Sequence, residues 1–240
     1  YHASESAPVQ LFDEHDLDHH PFDGTCVACQ EANKQSAAFK RGSTTGVEDL
    51  SADESAFYTM DFKGPLPTAS NGDRWILVFS RRTRADPEPA YYAYTCPTKK
   101  EQVVKGLHEM RKEFGDTGKF VVHSDEEPVL KAPDVKEYLS KHGGRPLKGV
   151  PFEHNTNAVA EAAVKTVSRG LRVTMVASCI PVKYWPAAAR AWSVHYNARH
   201  GVQPRVNVAP RVPFGQLGYA VLHKESVNRH AAQARMVPCA

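Results

Sequence analysis

Over the first 55 residues apolar positions recur with neither a helical nor a strand period. The segment closes on the polar run Gly42-Ser-Thr-Thr-Gly46-Val-Glu-Asp, so it reads as an arm rather than a core. Regular pattern begins at Ala56. Phe57–Phe62 and Trp75–Phe79 predict two strands, joined as a hairpin through the turn residues Gly64-Pro65 and Asn71-Gly72-Asp73. Ala90–Thr95 predicts a third. Val103, Val104, Leu107, Met110 and Phe114 then fall on one helical face, with Thr98 as candidate cap and Gly115 as stop. A short buried strand over Lys119–His123, a helix over Asp134–His142, a strand over Pro146–Val150 and helices over Asn157–Ala177 and Pro181–Asn197 complete the pattern. Hairpin strands followed by alternating helix and strand predict an α/β domain whose mixed sheet is covered by helices on both faces. After Asn197 the chain turns loop-like, and two readings of its tail stand: a small β appendage, or an extension without order that binds DNA.

Composition narrows the class. The chain has 240 residues, 41% hydrophobic and 24% charged, enough for one full core with a small appendage. No apolar run is long enough to span a membrane. Five cysteines among 240 residues are too sparse for a disulfide framework, which favours a reducing, intracellular setting. Tyr1 in place of Met reads as a fragment or a processed product.

The net charge of +3 conceals an asymmetry: residues 1–60 hold eleven acids against three Lys/Arg, and everything after Glu161 holds eleven Lys/Arg against one acid, Glu225. A basic second half suits a polyanionic partner such as DNA, although a solvated basic face has the same composition.

Three acids fall where α/β sheets place sites. Asp61 interrupts the apolar strand Phe57–Phe62, Asp125 follows the strand ending at His123, and Glu161 lies one turn into a helix, with 35 residues between it and Asp125. An acid inside an apolar strand is costly to bury without a partner. A bound cation removes that cost, and three hard carboxylates suit two Mg²⁺ or Mn²⁺ ions of the kind that promote phosphoryl displacement. In the arm, His15-x₃-His19 and Cys26-x₂-Cys29 offer two nitrogens and two sulfurs for one structural Zn²⁺, with His20 a rival to His19; the other reading is unpaired polar residues of the arm. On the helix of Glu161, Lys165, Arg169 and Arg172 follow at i+4, i+8 and i+11, the spacing of one face along which DNA could lie. Gly170 inside that helix suggests a kink.

Taken together, these residues resemble the integrases of retroviruses and LTR retrotransposons, copia-like elements in particular. Met60-Asp61-Phe62-Lys-Gly-Pro65 is similar to the family's first-strand motif, His123-Ser124-Asp125 to its second acid, and Thr156-Asn157-Ala158-Val159-Ala160-Glu161 to its third; Trp185-Pro-Ala-Ala-Ala-Arg-Ala-Trp192 resembles the closing helix. The resemblance implies a ribonuclease-H-like core with Asp61, Asp125 and Glu161 as catalytic metal ligands. It implies Asn157 at the DNA end, an HHCC-type zinc module, here in degenerate form with only six residues between the His pair and the Cys pair, self-association, and nuclear action in trimming DNA 3′ ends and joining them to target DNA. It divides the chain into a zinc-bearing arm (1–45), a linker (46–55), a catalytic core (56–201) and a basic extension (202–240). Departures from the family pattern stand beside it: Glu126-Glu127-Pro128 after the second acid, Ala158 in place of glycine, Ala162 in place of arginine, and Ser80-Arg81-Arg82 after the second strand. They leave a second reading, a domesticated integrase-fold protein that binds DNA or assembles without catalysis.

Overall fold

A computed structural model describes residues 14–33, 50–99, 102–124, 127–147, 158–202, 213–215, 218–221 and 236–239. In chain order they form α1 (Glu14–Asp18), α2 (Val27–Asn33), β1 (Glu54–Lys63), β2 (Trp75–Thr83), β3 (Ala90–Cys96), α3 (Val103–Phe114), β4 (Lys119–Ser124), α4 (Glu127–Leu130), α5 (Pro133–Lys141), β5 (Gly144–Pro146), α6 (Ala158–Ser178), α7 (Trp185–Arg199), β6 (Gly218–Val221) and β7 (Met236–Cys239). Strands β1 to β5 make one mixed sheet in the order β3-β2-β1-β4-β5. β1 runs antiparallel to β2 and parallel to β4, β2 antiparallel to β3, and β4 parallel to β5. This is the mixed α/β class expected from the sequence.

The strands bury side chains on both faces. Tyr58, Met60, Leu77, Phe79, Phe120 and Val122 pack with Leu107 and Met110 of α3 and with Leu139 of α5. Ile76, Val78, Tyr91 and Ala93 point the other way, against Ala163, Val167 and Leu171 of α6 and Trp185 and Trp192 of α7. Runs of apolar residues without strict alternation are what a sheet covered on both sides requires. The edge strand β3 is tied to α7: the Asn197 carboxamide accepts the Tyr91 N–H at 2.8 Å and donates to the Tyr91 carbonyl at 2.7 Å, so one side chain satisfies both outward backbone groups of Tyr91.

Three details depart from the sequence reading. Helix α3 starts after Gln102 with no side-chain cap, so Thr98 does not cap it; Gly115 does end it, at φ 66°. β5 begins at Gly144, where a Cβ would lie 2.5 Å from the Phe120 ring; residues 148–150 of the expected strand lie outside the described residues. Helix α6 runs unbroken through Gly170, and the glycine serves packing, since a Cβ at that position would lie 2.0 Å from the Trp192 indole. Arg81 is held by Asp116 through two bonds of 2.7 and 2.8 Å, and Asp116 also accepts the Tyr58 hydroxyl at 2.7 Å.

Residues 14–33 pack on the core, α2 against α6 and α1 against α7. In the tail, β6 and β7 pair antiparallel, which favours the β appendage. No helix among the described residues is long and apolar enough to cross a membrane.

Candidate functional site

The amino-terminal module gathers one ligand atom from each of His15, His19, Cys26 and Cys29 within 4.8 Å of one another. His15 projects from α1 and His19 follows one residue after it ends, while Cys26 precedes α2 and Cys29 lies within it. The Cys26 sulfur is 3.4 Å from His19 Nδ1 and the Cys29 sulfur 3.5 Å from His15 Nε2. A tetrahedral ion with bonds of about 2.0 Å to nitrogen and about 2.3 Å to sulfur spaces such pairs by roughly 3.5 Å. The donor set therefore fits Zn²⁺ in both chemistry and size. Burial, reinforced by the neighbouring His15, lowers the pKa of His19 and favours the neutral imidazole that a metal needs. Burial pushes the Cys29 thiol up, an opposing cost that a cation beside the sulfur removes. His20 stands outside the cluster, its ring 5.1 Å from Tyr196 and 5.4 Å from His200.

The second site is built by register. Met60 pairs with Ser124 across the parallel β1–β4 ladder, so Asp61 stands one residue beyond the last described pair. Asp125, the next residue of that chain, lies outside the described residues, as does Asn157. Asp61 pairs with Val78, and Val78 packs against α6 and α7. Paired residues share a face, which puts Asp61 on the α6 side of the sheet. It is half-buried, and its Oδ1 accepts the Phe62 N–H at 2.6 Å.

Glu161 sits in the first turn of α6, a helix that packs across β1, β2 and β3. It is exposed, with Lys165 Nζ 3.4 Å from its carboxylate. A carboxylate in a first helical turn also complements the helix dipole. Lys165 and Arg172 are exposed. Arg169 behaves differently: its guanidinium lies over the Phe22 ring at 5.1 Å, turned toward the amino-terminal module.

One row of polar residues is not apparent as a row in the sequence. Tyr91, Ser80, Thr59 and His123 are register partners across four strands, and all four are buried, Thr59 completely. They share the face of Asp61 and lie one pleat below it, and the Thr59 hydroxyl has no hydrogen-bond partner. The signal was available: a polar residue at the parity of Asp61 in each of β1, β2 and β4. Alone, each looked like ordinary strand composition.

No protein-family model matches the chain, and no curated protein sequence does. Among solved structures it is similar to a chain of the simian T-cell lymphotropic virus intasome in complex with PP2A regulatory subunit B56 gamma. The TM-score there is 0.46 at 13% identity, over 89% of this chain and 76% of that one. It is also similar to the catalytic core domain of BIV integrase, at a TM-score of 0.39 and 14% identity, over 60% of this chain and 96% of that one. The fold class stands on the strand order and register, independently of these likenesses.

Proposed function

We propose that the chain is an integrase-type polynucleotidyl transferase that trims DNA 3′ ends and joins them to target DNA. The observation that carries the reading is the placement of Asp61 at the carboxyl end of β1, level with the end of parallel β4 and on the face covered by the helix of Glu161. Asp61, Asp125 and Glu161 would hold Mg²⁺ or Mn²⁺, for which their hard oxygens are suited. Bound there, the two ions would polarise a phosphodiester and activate its attacking oxygen. The protein's own part is to hold Asp61 on a strand fixed on both sides, and to offer Lys165 and Arg172 as exposed cations for a DNA backbone. Asn157 would meet the DNA end, nuclear action follows from such a substrate, and self-association accords with the same reading. The test is strand transfer on a short duplex with added Mg²⁺ or Mn²⁺. Asp61→Asn and Glu161→Gln should each abolish joining while leaving the melting temperature within a few degrees of the parent. Joining at the parental rate in either variant removes the carboxylates from the mechanism; DNA binding without any joining in the parent favours the non-catalytic reading.

A further inference from the structure

The His/Cys cluster of the amino-terminal module is gripped from outside by a core helix. Three side chains of α7 reach the short segment that carries His19. Trp192 Nε1 donates to the Asp18 carbonyl at 2.9 Å, and His195 Nδ1 donates to the Leu17 carbonyl at 2.8 Å. Arg199 donates to Asp18 Oδ1 at 2.8 Å and to the His20 carbonyl. The Asp18 side chain is fully shielded from solvent, and the same Oδ1 accepts the His20 N–H at 2.9 Å. The residues on both sides of His19 are thus pinned to the core. His19 itself sits at φ 54°, a left-handed conformation that residues other than glycine adopt only where their surroundings impose it. On the opposite side of the cluster, Cys29 and Ala32 are buried against Val173 of α6, and Arg169 covers Phe22.

We propose that Trp192, His195 and Arg199 are positioning residues of the metal centre, so that metal loading and the packing of α6 and α7 form one cooperative unit. The proposal rests on the reading of the four ligands as a zinc site and adds what holds them in place. A module whose buried apolar residues, among those described, are Cys29 and Ala32 has too small a core to preset its own ligand geometry. The core helices supply that geometry instead, by fixing the Leu17–His20 backbone that aims His19. Outer contacts of this kind typically govern about 10- to 100-fold in metal affinity. Because linkage is reciprocal, the metal in turn stabilises the helix pair, one member of which carries Glu161. An arm merely tethered to the core would bind metal with an affinity indifferent to α7.

The experiment is a Co²⁺ titration of the full 240-residue chain, following the thiolate-to-cobalt absorption band, with Zn²⁺ displacement to rank affinities. The variants are Arg199→Gln, Arg199→Lys, Trp192→Phe and the pair Cys26→Ser with Cys29→Ser. Arg145→Gln, which breaks an ion pair with Glu54 at the other edge of the sheet, controls for general destabilisation. Arg199→Gln and Trp192→Phe should each weaken metal binding about 10- to 100-fold. Arg199→Lys should recover part of the loss, the double cysteine variant should lack the band, and Arg145→Gln should match the parent. Arg199 lies at the exposed end of α7, so its variants decide the matter even if Trp192→Phe fails to fold. No thiolate band in the parent overturns the zinc reading itself. A normal band with parental affinity in Arg199→Gln overturns the coupling and leaves the metal site standing.

Discussion

Gly170 and Trp192 compete for the same space, for a Cβ on the glycine would lie 2.0 Å from the indole. The ring cannot slide aside cheaply. Its N–H is bound to the Asp18 carbonyl, and its faces pack near Tyr91 and Tyr196.

Two effects of opposite sign therefore meet in Gly170→Ala. Helix propensity favours alanine by about 1 kcal/mol, whereas overpacking a filled core costs roughly 1–3 kcal/mol and more where the clash is with a rigid ring. Packing should win by about 2 kcal/mol, lowering the melting temperature by roughly 4–8 °C for a chain of this size. An equal or higher midpoint would mean that propensity decides and that the indole has room to move.

The cations of α6 should separate into two kinds. Lys165→Ala and Arg172→Ala should each weaken binding to unrelated duplexes alike, and each should make the plot of log affinity against log salt shallower by about 0.9. Arg169→Ala should leave that slope unchanged, because its guanidinium faces Phe22, and should instead loosen the amino-terminal module. Binding titrations over a salt series distinguish the two. Equal slope changes in all three would place Arg169 on the DNA side after all.

Acid should expose the tie between β1 and β5. Arg145 grips the Glu54 carboxylate through bonds of 2.5 and 2.9 Å and the Ser51 N–H adds a third at 2.7 Å, holding its pKa down to about 2. A carboxylate depressed in the folded state contributes stability that is complete above its ordinary pKa and is lost as the pH falls toward the folded value. Denaturant midpoints should thus decline between pH about 4.5 and about 2, and Glu54→Gln should flatten that part of the profile while lowering stability at neutral pH. A profile with the same slope in the variant would show that other carboxylates carry the acid sensitivity.

The His15, His19, Cys26 and Cys29 set was legible because metal ligation constrains residue type and short spacing, both of which a linear chain displays. The strands were legible because burial on both faces demands β-branched and aromatic runs such as Trp75–Phe79, and Gly115 as a helix stop because it must take a left-handed φ. Asp61 was conspicuous as a charge inside an apolar run. What the chain could not display were relations between distant residues. That His19 joins the cluster and His20 neighbours Tyr196 and His200 followed only from the fold of the segment between α1 and α2. The meaning of Gly170 lay 22 positions away in Trp192, and that of the polar row Tyr91, Ser80, Thr59 and His123 lay in a register spanning four strands. Local sequence thus determined which residues could bind metal, enter strands or end helices, because those preferences act over a few bonds. The tertiary structure alone decided that the amino-terminal module is held by α7, because Trp192, His195 and Arg199 find Leu17, Asp18 and His20 only when contacts more than 170 residues apart in sequence close in space.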